Sequence, residues 1–255
     1  MPAVWDDPAV DWAAFDLVVV RGTWDYVDRR DAFLAWARSV PRLLNAPGVL
    51  AWNTDKRYLA ELADLGLPVI PTTFVAPGEP LTTPEAPELV VKPTVSAGSR
   101  DTRRHAAERP DEVAAHVAYL HAAGRTAMVQ PYLRGVDTAG ETALLYLGGR
   151  YSHAIRKGPL LAPGAPASSD LFVTEDISPR EPSAAERETG DRVLAAVGEL
   201  LAGEPELLYA RVDLVPGPDG SPLVIEVELT EPSLFLDQAP HAPERLADAI
   251  AARVP

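Results

Sequence analysis

The chain has 255 residues, carries a formal net charge of −14 and contains no cysteine. That charge argues against nucleic acid or an anionic membrane as the main partner, and the cysteine count excludes a disulfide framework, a thiolate nucleophile and a Cys-based zinc site. Apolar residues make up 47% and charged residues 24%, the balance of a globular protein with ample core, while no apolar run is long enough for a bilayer and no signal-type leader is visible, so the expected location is the cytoplasm.

The first element, "FDLVVVRGTWDY" (15–26), reads as a buried strand entering a turn. There Trp24, Asp25 and Tyr26 fit a helix cap with core aromatics as well as they fit a substrate pocket. "DRRDAFLAWARSV" (28–40) repeats its apolar residues at helical spacing. "NTDKRYLAELADLG" (53–66) predicts a second helix, with Thr54 as N-cap and Gly66 just past the end. A strand is expected near "PVIPTTFV", then a proline-rich linker over 76–87. "ELVVKPTVSAGSR" gives a strand followed by a loop of small residues.

"PDEVAAHVAYLHAAG" predicts a helix and "AMVQPYL" a short strand. "ETALLYLGGRYSHAIRKG" is a hairpin turning at Gly148 and Gly149. "PLLAPGAPASSD" (159–170) has no periodicity and reads as a loop, either closing over substrate or inert. A long helix in "SAAERETGDRVLAAVGELLAG", a second hairpin in "LLYARVDLVPGPDGSPLVIEVEL" and a closing helix in "APERLADAIAARV" complete the chain. The class is α+β, with β/α alternation first and antiparallel hairpins after.

The second hairpin holds the sharpest chemical signal. Glu226 and Glu228 lie two apart in an apolar strand, so both carboxylates share a face. With a turn over 218–221, Asp213 falls opposite Glu226 and Arg211 opposite Glu228. Three carboxylates gathered in this way call for a cation or a proton, and all-oxygen ligands favour Mg²⁺ or Mn²⁺ over zinc. The competing reading is a solvent-facing edge hairpin with a salt bridge from Arg211; the apolar character of both faces tips the balance slightly towards the metal.

Lys92 ends an apolar strand before Ser96, Ala97, Gly98 and Ser99, whose backbone N–H groups could approach phosphate oxygens. Neither a Walker A loop nor a G-x-G-x-x-G is present. Taken singly, Lys92 fits an ordinary turn and Lys56 an ordinary surface helix start. Together with the acidic hairpin they are the parts that a nucleoside triphosphate with Mg²⁺ requires. The five histidines show no metal spacing.

The order "RGTWDY", "NTDKRYL", "VVKPTVSAGS", "VQPYL", "ETALLYLGGRYSHAIRKGP", "YARVDLV" and "IEVELTEPSLF", spanning residues 18–235, resembles the ATP-grasp superfamily of carboxylate–amine ligases. Within it, the chain is most similar to the O-ureido-D-serine cyclo-ligase type. The resemblance implies an ATP-grasp fold, two α+β lobes gripping ATP. Residues 1–50 would form a partial N-terminal α/β lobe, 51–125 the first ATP-grasp lobe, and 126–255 the second, with the metal and substrate site. It also implies a ligase using ATP and Mg²⁺ (or Mn²⁺), which activates the carboxylate of an amino acid or derivative as an acyl-phosphate for attack by an amine.

Residue by residue, the resemblance places Lys56 and Lys92 on the ATP phosphates under a lid of Ser96, Gly98 and Ser99. Gln130, Tyr132 and Leu133 would meet adenine, and Glu141 the ribose. Arg156 or Lys157 would stand near the γ-phosphate. Arg211 would steady the acyl-phosphate, Asp213, Glu226 and Glu228 would hold metal, and residues 230–233 would border the acceptor. Two departures stand out: Glu228 occupies a position where many relatives have Asn, and Met1 begins where relatives already have a strand and a helix, so a truncated N-terminal lobe or a misassigned start is expected. They support a rival reading, a non-catalytic nucleotide-binding relative with a regulatory or assembly role. The blandest reading is a structural α+β domain. A homodimer is left open.

Overall fold

The computed structural model describes residues 1–165 and 175–254. Positions 166–170 of the loop expected over 159–170 lie outside the described residues. After a 3₁₀ turn at Trp12–Ala14 come β1 (Val18–Val19), a 3₁₀ stretch at Trp24–Asp28, α1 (Arg30–Ser39), β2 (Leu43–Leu44), α2 (Pro47–Asn53) and α3 (Tyr58–Asp64). β1 and β2 pair in parallel. The helical region predicted over 53–66 is thus interrupted. Thr54 caps the C-terminal end of α2 rather than the start of α3, and its hydroxyl accepts from Arg30 Nε at 2.8 Å. Gly66, with φ of +76°, does follow the end of α3.

Next come β3 (Thr73–Val75), β4 (Glu88–Pro93), β5 (Arg103–Ala106), α4 (Pro110–Ala122) and β6 (Ala127–Pro131). They form an antiparallel sheet ordered β3-β6-β4-β5. Alternation along β4 sends Leu89 and Val91 into a core with Val113, Val117 and Leu120 of α4, leaving Val90 and Lys92 for the other face. Because β6 completes this sheet, the unit it builds runs on to Pro131.

The rest of the chain is α5 (Val136–Ala139), β7 (Glu141–Leu147), β8 (Arg150–Lys157), β9 (Ile177–Pro179), α6 (Ala184–Leu200), β10 (Tyr209–Pro216), β11 (Pro222–Glu228) and α7 (Ala242–Ala251). The strands make an antiparallel sheet ordered β11-β10-β7-β8-β9. The first hairpin turns, as expected, at Gly148 and Gly149, whose φ values of +56° and +73° suit glycine in a two-residue turn. Helix α6 opens with a capping box between Ser183 and Glu186 and covers one face of the sheet, where Leu144, Val212, Val193 and Val197 meet. Helix α7 covers part of the other, against Leu145, Ile155 and Tyr209. Among the described residues no helix is long and apolar enough to cross a membrane.

Strand β11 is the margin of its sheet, and side chains from the first third of the chain seal it. Asn53 donates to Val227 O at 2.7 Å and accepts from Leu229 N at 2.7 Å. The Tyr58 hydroxyl both donates to Val227 O and accepts from Val227 N, at 2.8 and 2.9 Å. Buried backbone groups must find partners, and here an amide and a phenol stand in for the missing strand.

Candidate active site

A cleft opens between the two sheets. Its five-stranded wall follows from the two-residue period of β10. Tyr209, Arg211, Asp213 and Val215 share one face, while Ala210, Val212 and Leu214 enter the core on the other. Polarity therefore changes along that face: covered by α7 at Tyr209, charged at Arg211 and Asp213, apolar at Val215. On the neighbouring strand Arg211 pairs with Glu228 and Asp213 with Glu226, the register expected from the sequence. The route to it differs. A bulge follows Asp213, so Leu214 pairs with Val224 and Pro216 with Pro222. Val224 and Val227, three apart, both reach the core, which leaves Ile225, Glu226 and Glu228 on the cleft.

The charged band is a nearly closed ion network. Arg211 Nε and Nη2 reach Asp213 Oδ1 and Oδ2 at 2.8 and 2.9 Å, and Nη2 also donates to Glu228 Oε1. Lys157 Nζ sits 2.7 Å from Asp213 Oδ2 and 2.9 Å from Glu141 Oε2. Lys56 Nζ is 3.1 Å from Glu226 Oε1 and donates to Ser96 O at 2.8 Å. Burial works against the Lys157 ammonium, yet Asp213 and Glu141 hold its pKa above the usual lysine range. Burial likewise opposes ionisation of Asp213, but Arg211 and Lys157 keep its carboxyl below the ordinary aspartate value. Glu226 is lowered too, by Lys56 and Lys92 against its burial. Glu228 goes the other way: burial, opposed by Arg211 but aided by Glu226 and Asp213, pushes it up to about 7.

The four-stranded wall is less complete. Lys92 is only 7% exposed, and its ammonium makes no hydrogen bond or ion pair among the described residues. Burial pulls its pKa below the usual lysine value. The small-residue loop beside it, Ser96, Gly98 and Ser99, lines the cleft as expected, with Gly98 and Ser99 at φ of +61° and +60°. Arg100 ties this loop to the first third of the chain through Asp28 at 2.9 Å. Beyond Lys92 the cleft ends in an apolar slot of Ile70, Leu133, Val136, Val215 and Ile225, floored by Val90 and Gln130. Gln130 donates to Thr72 Oγ1 at 2.8 Å. Tyr132 borders the slot, with its hydroxyl on Asp137 and the Arg104 guanidinium 3.6 Å above its ring.

The structure brings Lys56, Lys92, Ser96, Gly98, Ser99, Gln130, Tyr132, Leu133, Glu141, Lys157, Arg211, Glu226 and Glu228 to one cleft, with Asp213 bonded beneath Lys157 and Arg211. Arg156 is the exception. Strand alternation turns it away from Lys157, and it donates to Ala139 O at 3.1 Å and pairs with Asp176 at 3.1 Å. Of the two candidate cations, only Lys157 faces the cleft. His153 is likewise removed from it, bonded to Leu234 O at 3.0 Å.

Trp24 and Tyr26 line the cleft, Tyr26 while also belonging to the core, stacked on Phe33, and Asp25 pairs with Arg29. Glu231 was absent from the sequence candidates except as part of the 230–233 border. It is 8% exposed and lines the cleft. Burial and then the neighbouring Glu228 push its carboxyl up to about 8. Its only sequence signal is an acid in an otherwise apolar stretch, "LTEPSLF".

Among the described residues no three or more His, Asp or Glu side chains converge as a ready-made metal cage; each hairpin carboxylate meets a cation instead. The donor set still fits Mg²⁺, which takes oxygen ligands, needs only one or two carboxylates and completes its shell with phosphate and water. The unpartnered ammonium of Lys92 on the facing wall is what a bound polyphosphate would satisfy.

Comparison with solved structures assigns the class. The chain superposes on the D-alanine–D-alanine ligase from Bacillus anthracis complexed with ATP at a TM-score of 0.63, with 17% identity over 95% of this chain and 80% of that one. It also superposes on the ATP-grasp ligase PsnB complexed with minimal precursor, Mg and ADP at 0.56, with 20% identity over 90% and 70%. The fold is the ATP-grasp fold, and ATP and Mg²⁺ are found with it in those neighbours. A family described as "D-cycloserine synthetase DcsG, N-terminal domain" matches residues 1–45. The cycloserine biosynthesis protein DcsG of Streptomyces lavendulae is 41% identical over 98% of this chain and 87% of its own length. A crystal structure of D-cycloserine synthetase DcsG superposes at 0.90, with 40% identity over 98% and 88%. The chain belongs to the DcsG family of ATP-grasp enzymes and is an ATP-dependent, ADP-forming ligase of C–N bonds.

Proposed function

We propose that this ligase closes a ring on an amino-acid derivative, activating its carboxylate and capturing it with a nitrogen of the same molecule. The observation that carries the reading is the gradation along the cleft, from apolar slot through unpartnered Lys92 to a carboxylate-rich wall, supported by a relative named for cycloserine synthesis. The apolar slot of Leu133, Val136 and Ile225 would take a purine base beside Gln130 and Tyr132, with Glu141 near its ribose. Lys56 and Lys92 would neutralise phosphate oxygens beneath Ser96, Gly98 and Ser99. Residues 1–50 would flank an ATP-binding pair of lobes that close on these groups, the boundary expected at 125/126 moving to Pro131 because β6 belongs to the four-stranded sheet.

Asp213, Glu226 and Glu228 would hold Mg²⁺, which supplies Lewis-acid charge withdrawal from the phosphates. A substrate carboxylate oxygen attacks the γ-phosphorus, the bond to the bridging oxygen breaks, and ADP leaves. Lys157 and Arg211 offset the charge on the transferring group and then on the acyl-phosphate. The nitrogen attacks the acyl carbon, phosphate departs, and the nitrogen gives up a proton. Holding both ends of one molecule in the cleft provides the proximity that ring closure needs.

The test is thermal stability with a non-hydrolysable ATP analogue, with and without Mg²⁺, followed by ADP release on O-ureido-D-serine. A ligand at about 100 times its dissociation constant adds about 2.7 kcal/mol. A Mg²⁺-dependent shift with substrate-dependent ADP release is expected. A shift without ADP release would sink ring closure on this substrate, and no shift in a folded sample would sink the assigned nucleotide site.

A further inference from the structure

Resting on the ligase reading, we infer that Glu231 anchors the ammonium group of an α-amino-acid-type substrate whose carboxylate is activated beside it. The inference comes from the pairing of charges in the cleft. Asp213 has Lys157 at 2.7 Å and Arg211 at 2.8 Å. Glu226 has Lys56 at 3.1 Å, Glu141 has Lys157 at 2.9 Å, and Glu228 has Arg211. Among the described residues Glu231 and Glu175 are the acids lining this cleft without such a partner, and of the two Glu231 is the buried one. Its one hydrogen bond among the described residues is through its backbone oxygen, which accepts from Trp24 Nε1 at 3.3 Å. Lys56 and Arg211 act on it through space, but both are committed to other carboxylates. Arg21 also acts on it from a distance; its guanidinium stands 5.5 Å from the Tyr209 ring centroid and makes no ion pair with Glu231.

An acid that is 8% exposed and has no counter-ion among the described residues ionises only at a cost, which a cationic ligand would offset. Among the described residues the cleft thus has two buried unmatched groups: Lys92, which an anion would satisfy, and Glu231, which a cation would. Phosphates answer the first and cannot answer the second. An ammonium does, and the Trp24 indole that bonds the Glu231 backbone and the Tyr26 phenol on which Glu231 acts through space line the same cleft. An α-amino acid brings this ammonium one carbon away from the carboxylate to be activated, on the side where Arg211 and Glu228 stand. Kept protonated by Glu231, that nitrogen has no lone pair and does not compete for the acyl-phosphate, so the α-amine survives ring closure.

The experiment measures binding of O-ureido-D-serine and of its counterpart lacking the α-amino group to protein loaded with Mg²⁺ and a non-hydrolysable ATP analogue. Wild type should prefer the amine-bearing compound by at least about tenfold. Glu231→Gln, which keeps the shape and removes the charge, should bring the two within about twofold while leaving the affinity for the ATP analogue unchanged; Glu231→Asp should retain a preference. A Glu231→Gln protein that binds the analogue and still prefers the amine overturns the inference and leaves the ligase reading standing. Failure of wild type to bind the analogue at all overturns both.

Discussion

Lys157 and Lys92 are buried in the same cleft on facing sheets, and their circumstances are opposite. Lys157 lies between Asp213 and Glu141, which raise its pKa above the lysine norm; Lys92 has no hydrogen-bond or ion-pair partner among the described residues, and burial lowers its own. On the five-stranded wall Glu141, Asp213 and Glu228 find their cations, Lys157 and Arg211, within the same sheet, whereas the four-stranded wall holds a cation whose counter-charge has to come with a ligand. Preorganised charge and unmet charge do different work. The first fixes geometry, and the second provides differential affinity, because a buried unpaired ion gains most when its partner arrives.

Breaking the matched wall should have the largest effect. Asp213→Ala leaves Lys157 and Arg211 each short of a buried partner, at a cost of about 3–5 kcal/mol, and should lower ADP formation by at least about a hundredfold. Denaturant unfolding and coupled ADP assays measure the two. On the other wall the sign reverses. Lys92→Met removes an unpaired buried charge and should raise the melting temperature of the empty protein by about 2–4 °C, yet forfeit the nucleotide-induced stabilisation of about 2.7 kcal/mol. A scan with and without the ATP analogue shows both, and a variant destabilised when empty would erase the contrast.

The smallest effect sharpens the comparison from the acid side. Glu231 is raised from 4.5 to about 8 in the folded protein, so between those values the folded state holds more of this proton than the unfolded state does. Its stabilising contribution is complete below 4.5 and is lost as pH rises through 8. The stability of wild type relative to Glu231→Gln should therefore fall between pH 7 and 8, by at most about 1.4 kcal/mol for that unit. Equal slopes for the two proteins would contradict the shift.

Much of this was legible in the sequence for one reason, the two-residue period of strands. It put Glu226 and Glu228 on one face and set them opposite Asp213 and Arg211. The assumed turn and the observed bulge differ by one residue, but the bulge lies on the turn side of the carboxylates and restores their phase. The same period could have separated Lys157, in phase with Ile155, from Arg156, in phase with Ala154. The start of α2 was also signalled, by Pro47 in its first turn. Less could be read where no period runs. Glu231 follows the strand in irregular backbone, and its missing counter-ion is a property of the folded neighbourhood. β5 and β9 are four and three residues long, too short for alternation to register.

The sealing of β11 by Asn53 and Tyr58 also bears on solubility. A free sheet margin is a template on which another chain can add a strand, and proteins commonly blunt such margins with charges, prolines or bulges. Here the donors and acceptors at Val227 and Leu229 are already taken by side chains, beside the bulge at Ile225. The far margin, β9, is three residues long and ends in Pro179. The amide and phenol that bond the backbone of the carboxylate-bearing strand therefore also guard this sheet against growing outward into an aggregate.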